Sequence, residues 1–304
     1  MELWIILSLL APLCWAFSNI IDQFLVRDSF STSPTAYIFF QGLFYTPLLV
    51  VVYLLRPEVL ALDMHEIGLV LAASPLWVIN AMLYVQALAR DDASIAVPLY
   101  NMVTFFVIIL AWIFLGETIS TRDFFYGCIV VVGATLLMWD FKTNKMKIAT
   151  FLFMMGACWT YATFATFTRA QTQQMHWLDF YFWYALGFNM VCVIGTLLMP
   201  KARTLFMEVW QQPSKKAFTL SFVQAALDFA ALMMISAAYS AAKTAGHVSF
   251  YASIQPLYVV TIAGIAGIFM PHVFEPLRAN RALFWKLGCI GIMLFGIYFL
   301  TVVT

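Results

Sequence analysis

Two aspartates interrupt long apolar stretches of this sequence, and both could carry chemistry there. Asp228 lies near the middle of the stretch 217–240, and Gln224 stands one helical turn before it. A carboxylate at the centre of an apolar helix costs about 2.5–3.5 kcal/mol to insert, and it tends to take up a proton unless a cation or hydrogen-bond donors hold it. Asp228 is therefore expected to couple to protons or to bind an ammonium group. A structural pair with a donor on a neighbouring helix is the alternative.

Asp22 and His247 lie nearer the ends of their apolar stretches. Arg27 follows Asp22 closely, so an interfacial carboxylate held by an arginine competes with a role in coupling. His247 comes four residues after Lys243. Because imidazole titrates near neutral pH, His247 suits a gate or a proton acceptor, although capping or packing fits it equally well.

Polar and aromatic side chains recur at helical spacing along these stretches. Residues three, four or seven positions apart share one face of a helix. The clearest such face carries His247, Tyr251, Gln255 and Tyr258. The other faces are Trp15, Asn19 and Asp22; Trp77, Asn80 and Tyr84; Tyr100 and Thr104; and Trp159, Thr163 and Thr166. Because polar groups are costly in hydrocarbon, converging faces predict a wet cavity, with interhelical hydrogen bonding as the alternative.

The residues on these faces form the predicted site. The substrate-binding set is Trp15, Asn19, Trp77, Asn80, Tyr84, Tyr100, Trp159, Asp228, Tyr251, Gln255 and Tyr258. The coupling or gating set is Asp228, His247, Asp22 and Pro256. A carboxylate facing aromatic rings suits a cationic or zwitterionic molecule with an apolar body. Pro256 is included because proline removes a backbone donor and loosens a helix locally.

Ten apolar stretches must position these residues. They cover residues 3–26, 34–55, 66–89, 93–116, 122–140, 148–170, 177–199, 217–240, 243–270 and 281–303. About 20 residues at 1.5 Å each cross a hydrocarbon core of about 30 Å. In the whole chain 63% of residues are hydrophobic and 10% are charged. The stretches lack the alternation of a barrel, so we expect an all-α membrane protein with ten transmembrane helices in a lipid bilayer.

The second half of the chain repeats the first. Cys14–Phe17 matches Cys158–Tyr161 at an offset of 144, and Ala93–Phe105 matches Thr244–Pro256 at an offset of 151. An odd number of helices per unit makes the second copy enter the membrane from the opposite side, which gives two inverted five-helix repeats. The predicted units are residues 1–145 and 146–304.

Three short segments carry a resemblance to a known family. They are Trp15-Ala16-x-Ser18-Asn19, Ala93–Pro98 and Leu115-Gly116-Glu117. In them the chain resembles the EamA-like ten-helix permeases of the drug/metabolite transporter superfamily. The resemblance implies helices around a central cavity, peripheral fifth and tenth helices, and alternating access for one small polar or amphipathic molecule. The second half has Phe269–His272 where another Gly-Glu pair would stand, so that pair serves one half only. Glu117 is expected to cap a helix end or to pair with Arg122.

The favoured function is secondary transport, as an exporter or exchanger, of an amine- or amino-acid-like metabolite, with protons as a candidate coupling ion. A flippase for a lipid-linked sugar carrier is the alternative, although no basic residue lies deep in a stretch. The four histidines are scattered, so we predict neither an enzyme nor a metal site, and no cofactor. We do not favour a channel, because the sequence has no signature of a selectivity filter. With a net charge of +1 the chain offers no surface for nucleic acid.

Location, assembly and orientation are the last expectations. We expect a bacterial inner membrane and a monomer or homodimer. About 12 of the 16 basic residues fall on the side opposite the termini and 4 on the side of the termini. The positive-inside rule then places both termini outside, whereas the family resemblance implies cytoplasmic termini.

Overall fold

The secondary structure of this protein is helical throughout the part described by the computed structural model, which covers residues 2–28, 34–88, 99–138, 148–211, 215–269 and 281–302. The α-helices are α1 (Leu3–Asp28), α2 (Pro34–Gly42), α3 (Tyr45–Leu55), α4 (Met64–Ala73), α5 (Pro75–Leu88), α6 (Val103–Leu115), α7 (Thr121–Met138), α8 (Ile148–Thr172), α9 (Trp177–Leu198), α10 (Pro200–Gln211), α11 (Lys215–Ala241), α12 (Ala245–Ala252), α13 (Gln255–Phe269) and α14 (Arg281–Val302). A 3₁₀ turn, Pro57–Ala61, joins α3 to α4.

Seven stretches of the described chain are long and apolar enough to cross a membrane. They are Leu3–Asp22, Tyr37–Leu55, Met64–Ala87, Ile148–Thr172, Trp177–Leu198, Phe218–Ala241 and Phe284–Thr301. Helix α6 is apolar but shorter. The prediction of an all-helical, multi-pass membrane protein is confirmed, whereas ten crossings and an inverted repeat stay predictions.

Four stretches predicted as single helices are divided in the structure. The stretch 34–55 turns at Leu43 and Phe44, and the stretch 93–116 turns at Asn101 and Met102. The stretch 66–89 breaks at Ser74, and the stretch 243–270 turns at Ser253 and Ile254. Proline explains the last two breaks, because it cannot donate to the carbonyl four residues earlier and its ring clashes there. Pro75 is the first residue of α5, and Pro256 is the second residue of α13. The prediction of one continuous helical face from His247 to Tyr258 is therefore wrong.

The most extensive packing of α1 is against α11, and the most extensive packing of α8 is against α5. Small side chains allow the close approach of α1 and α11, since Ala11, Ala16 and Ala231 are fully buried. This packing sets the polar residues of α1 opposite Gln224 and Asp228 of α11. Helix α9 closes the other side of this region by packing on α2 and α3.

Candidate functional site

The carboxylate of Asp228 is held by two neutral donors from other helices. The indole Nε1 of Trp15 on α1 donates to Oδ1 across 2.9 Å, and the hydroxyl of Tyr45 on α3 donates to Oδ2 across 2.6 Å. Trp15 and Tyr45 are buried, whereas Asp228 at the middle of α11 is half-buried. Donors on neighbouring helices therefore bond to Asp228, which is what the alternative of a purely structural role for this carboxylate requires. Two lone-pair directions of the carboxylate stay available to a cation or a proton.

The second carboxylate, that of Asp22, lies on α1 and contacts Gln224, which precedes Asp228 by one turn of α11. Its Oδ1 accepts from the Tyr37 hydroxyl at 2.8 Å and from Gln41 Nε2 at 3.1 Å, both on α2. Its Oδ2 accepts from Gln224 Nε2 at 3.3 Å. None of these partners is basic, and the side chain of Arg27, the arginine expected to hold Asp22, lies outside the described residues.

Gln224 connects the two carboxylates. It precedes Asp228 by one turn of α11, and its Nε2 also donates to Ser18 Oγ across 2.9 Å. We call Ser18, Asp22, Gln224 and Asp228 the carboxylate cluster. No basic side chain of the described residues bonds to either aspartate.

Aromatic rings adjoin the cluster through Trp15. Trp77 stacks on Trp15 with centroids 6.2 Å apart and an interplanar angle of 25°. The Tyr161 ring lies 6.4 Å from Trp15 in a T-shaped arrangement and 6.0 Å from Trp77 in a tilted one. Tyr100 lies 6.2 Å beyond Tyr161, and Tyr84 lies 5.3 Å from Tyr100. We call these five residues the aromatic wall, and their faces could bind an organic cation.

Asn80 and Asn19 flank this region. Buried Asn80 donates from Nδ2 to the carbonyl of Ala157 across 2.7 Å and accepts at Oδ1 from the Tyr100 hydroxyl at 3.3 Å. These bonds join α5 to α8 and fix the Tyr100 ring. Asn19 is half-buried on α1, beside Ser18 in sequence.

The remaining predicted residues lie away from the cluster. Trp159 is 48% exposed and meets Phe106 edge-on at 5.5 Å. Tyr251 is buried against Trp4, with its hydroxyl 3.1 Å from Thr301 Oγ1. On the separate helix α13, Gln255 and Tyr258 are half-buried and Pro256 is buried. The structure thus brings together Trp15, Asp22, Trp77, Asn80, Tyr84, Tyr100 and Asp228 from the predicted set.

His247 has structural partners near the start of α12. Its Nδ1 lies 2.8 Å from Thr244 Oγ1, and its Nε2 lies 3.3 Å from Asp123 Oδ2 on α7. Its backbone N–H donates to Thr244 Oγ1, which caps α12, and Trp4 meets the ring edge-on. The geometry fits the packing alternative, and a gating role stays a prediction.

Glu117 belongs to a second polar cluster, at the ends of α6, α8 and α11. Gly116 ends α6 with a φ of 64°, a left-handed conformation that favours glycine and turns the chain sharply. Glu117 Oε2 then accepts from the backbone N–H of Ala245, the first residue of α12, at 2.7 Å. This confirms the expected cap. The other oxygen pairs with Arg169 at 2.8 Å, so the structure supports the cap, which was one of the two alternatives for Glu117, and adds an ion pair that the sequence did not predict.

Arg169 extends this second cluster to the end of α11. Its Nη1 donates to the carbonyl of Tyr239 at 2.6 Å, and its Nη2 donates to the carbonyl of Lys243 at 3.2 Å. Carbonyls at a helix C-terminus lack intrahelical partners and favour a cation. Glu117 and Arg169 form a buried ion pair, with side chains 12% and 7% exposed. We call them the terminal ion pair.

Five contributing residues escaped the sequence analysis: Tyr37, Gln41, Tyr45, Tyr161 and Arg169. Tyr37, Gln41 and Tyr45 stand at i, i+4 and i+8, so a search for polar faces in the second stretch would have found them. Tyr161 was visible only within the repeat of Cys14–Phe17. No local sequence pattern marked Arg169, because its hydrogen-bond partners lie 52 to 74 residues away in the chain.

Part of this chain is similar to known transporters. Residues 2–139 match the EamA-like transporter family, which confirms the resemblance over that part. The Pseudopaline exporter CntI of Pseudomonas aeruginosa, in strains UCBPP-PA14 and PAO1, is 26% identical over 154 residues. That match covers 50% of this chain and 52% of the relative, so the chain spans about half the length of these curated relatives.

The fold also has a counterpart among solved structures. One crystal structure, whose title says only that it is of a protein, superimposes on this chain with a TM-score of 0.73. The likeness covers 99% of this chain and 96% of the other, at 10% sequence identity. It shows a common fold.

Proposed function

We propose that this chain, whose residues 2–139 match the EamA-like transporter family, exports or exchanges a small amine- or amino-acid-like metabolite by secondary transport. The observation that carries the proposal is Asp228, whose carboxylate bonds, among the residues that the structure describes, only to Trp15 and Tyr45 and adjoins stacked aromatic rings. The similarity to an exporter supports the direction of transport.

The site chemistry favours a positively charged head with an apolar body. An ammonium group can donate to the open lone pairs of Asp228 while the aromatic wall contacts the body of the molecule through its ring faces. Trp15 belongs to both parts, since its N–H orients the carboxylate and its ring stacks on Trp77. A sugar or neutral lipid would leave the carboxylate uncompensated.

Alternating access between two inverted repeats is the proposed mechanism. Its support is the pattern of helix packing between the two halves of the chain. Helix α1 of the first half packs on α11 and α13 of the second half, and α8 of the second half packs on α5 and α6 of the first half. Under the repeat predicted from sequence, α1 corresponds to α8, α5 to α11, and α6 to the region of α12 and α13. Matching contacts across two halves are what a rocking motion about a pseudo-two-fold axis requires.

A flippase for a lipid-linked sugar carrier fits the contacts less well. Phosphate recognition would need an uncommitted basic side chain. Buried Arg169 bonds to Glu117 and to backbone carbonyls, and the bonds to the carboxylate cluster come from neutral groups in the part of the chain that the structure describes. These contacts favour export of a small molecule over the flippase. The bacterial inner membrane stays our proposed location.

Ligand-dependent thermal stability tests this function. The purified chain is heated with organic amines, amino acids, nucleosides, sugar phosphates and lipid-carrier head groups, and Asp228→Asn is run in parallel. A ligand that binds only the folded state raises its melting temperature. An amine or amino acid that stabilises the wild type but not Asp228→Asn supports the proposal. Stabilisation by lipid-carrier head groups alone, equal in the two proteins, would refute it.

The matched control is Asp63→Asn. Asp63 is exposed and makes no side-chain cap hydrogen bond to the helix that it precedes. Its substitution removes the same charge at a distance from the cluster, so the control should respond to the amine as the wild type does.

A further inference from the structure

Two ion pairs join the first half of the chain to the second at one end of the helical bundle. Arg56, which follows α3, donates from Nε and Nη2 to the two carboxylate oxygens of Asp179 at 2.6 Å and 3.1 Å. The other is the terminal ion pair of Glu117 and Arg169. Only residues 173–176 separate α8, which contains Arg169, from α9, which contains Asp179. The two pairs therefore lie at the same end.

Further contacts between the two halves lie near this end. The indole Nε1 of Trp183 on α9 donates to the carbonyl of Val59, in the 3₁₀ turn after α3, across 2.7 Å. His247, near the start of α12, lies 3.3 Å from Asp123, near the start of α7. This last contact is an ion pair only while His247 is protonated. The halves are thus held together here by several side-chain contacts.

We infer that the pairs Arg56–Asp179 and Glu117–Arg169 form a latch, which keeps this end of the substrate route closed until the pairs separate. The inference rests on the proposed function, because alternating access requires one end of the route to close while the other opens. Each pair has one residue in each half of the chain. A rocking motion between the halves therefore breaks both pairs together when this end opens.

The surroundings of the latch allow its charges to separate. Arg169 keeps its bonds to the carbonyls of Tyr239 and Lys243, which belong to its own half of the chain. Arg56 already reaches water, since its side chain is 31% exposed. Opening also admits water to Glu117, and hydration offsets the loss of its ion pair. The latch can therefore open and close reversibly.

Asp179 has a second source of stabilisation. It is the third residue of α9, and the unpaired backbone N–H groups in the first turn of a helix favour a negative charge. Its side chain is 7% exposed while it is paired with Arg56. Loss of Arg56 therefore weakens the attraction between the halves more than it weakens α9.

Two buried hydroxyls lie just inside the latch. Ser236 on α11 and Thr166 on α8 are 1% and 6% exposed, and neither hydroxyl has a hydrogen-bond partner in the described structure. They precede Tyr239 and Arg169 by three residues each, which is about one helical turn. Because buried hydroxyls are normally paired, these two offer bonds to a polar molecule that passes toward the latch.

The separation of the halves is measured by double electron–electron resonance on the full chain in detergent, without substrate. One spin label is attached at Glu58→Cys, in the 3₁₀ turn after α3, and the other at Gln174→Cys, between α8 and α9. Both positions are exposed and neither belongs to the latch. Cys14 and Cys128, which are half-buried, are replaced by alanine so that they take no label.

The intact latch should give one narrow distance between the two labels. We expect Arg56→Gln and Asp179→Asn each to add a second population, longer by more than the width of the first. Asp63→Asn is the matched control, because Asp63 is an exposed carboxylate before α4 that takes no part in the latch. It should keep the single distance.

An unchanged single distance in Arg56→Gln or in Asp179→Asn, in protein that melts cooperatively, would overturn the latch. An ion pair that only stabilises the fold would give that result together with a lower melting temperature. The two variants break the same pair from opposite sides, so either one decides if the other does not fold. An unchanged distance with intact amine binding rejects the latch alone, whereas a second distance without amine binding rejects the proposed substrate.

Discussion

The indole nitrogen of Trp15 donates to the carboxylate of Asp228 across 2.9 Å, although the two residues lie 213 positions apart. The bond joins α1 to α11, and so connects the two halves of the sequence. Trp77 stacks on the same indole. The same side chain orients the Asp228 carboxylate and forms part of the aromatic wall. We therefore expect substitution of Trp15 to weaken ligand binding as well as packing.

Replacing Trp15 by Phe tests this double role. The change keeps an aromatic ring to stack on Trp77 and removes the N–H that holds Asp228 Oδ1. Hydrogen bonds to charged groups contribute about 1.5–3 kcal/mol, so we expect amine affinity to fall by roughly ten-fold or more. Trp159→Phe is the matched control, since the repeat predicted from sequence pairs Trp159 with Trp15 but Trp159 is 48% exposed. Equal losses in the two variants, measured by titration calorimetry, would contradict the assignment.

Amine binding should weaken as the pH falls. A proton and an ammonium group compete for the same carboxylate, and protonated Asp228 carries no charge to attract the ligand. The affinity of the wild type is therefore expected to rise with pH until Asp228 is fully ionised. In Asp228→Asn the remaining affinity should not follow that curve. A pH profile of the dissociation constant that is the same in both proteins would argue against Asp228 as the shared site.

Breaking the terminal ion pair should destabilise the protein. Glu117→Gln removes the partner of buried Arg169, and leaving one buried charge unpaired costs about 3–5 kcal/mol. We expect a large drop in the melting temperature, partly recovered in the double variant Glu117→Gln/Arg169→Met, which removes both charges. Arg122→Gln serves as the control, because Arg122 was the partner expected from sequence. A greater loss in Arg122→Gln than in Glu117→Gln would contradict the observed pairing.

Pro256 lies at the break between α12 and α13, where we propose a gating bend. Pro256→Ala restores a backbone N–H and allows a continuous helix, which should stiffen the joint without opening a large cavity. We expect the transport rate in proteoliposomes to fall several-fold more than the yield of folded protein. Equal losses in both would indicate a structural role only.

The sequence predicted the parts of the site that depend on local spacing. Asp228 stood out because a lone carboxylate in an apolar helix is costly, and Trp15, Trp77 and Tyr100 lay on polar faces. The bond between Tyr45 and Asp228 could not be foreseen, because residues 183 positions apart meet only through helix packing.

Repeat symmetry was a weaker guide than spacing. Trp159 was selected because it mirrors Trp15, yet the two positions differ in burial, 48% against 8% exposed. The repeat stays a prediction from the sequence, and positions that it pairs need not share a function. Gly116 and Glu117 entered the sequence analysis only through the segment Leu115-Gly116-Glu117. The left-handed φ of Gly116 now explains how the chain turns the Glu117 carboxylate toward Arg169.

Gradient-driven flux is the measurement that tests the central claim most directly. Proteoliposomes loaded with the stabilising amine are given an opposing proton gradient, and efflux is followed for the wild type, Asp63→Asn and Asp228→Asn. We predict that the gradient accelerates efflux in the wild type and in the Asp63 control, and that Asp228→Asn shows no acceleration. Efflux from Asp228→Asn that still follows the pH gradient as in the wild type would contradict the account.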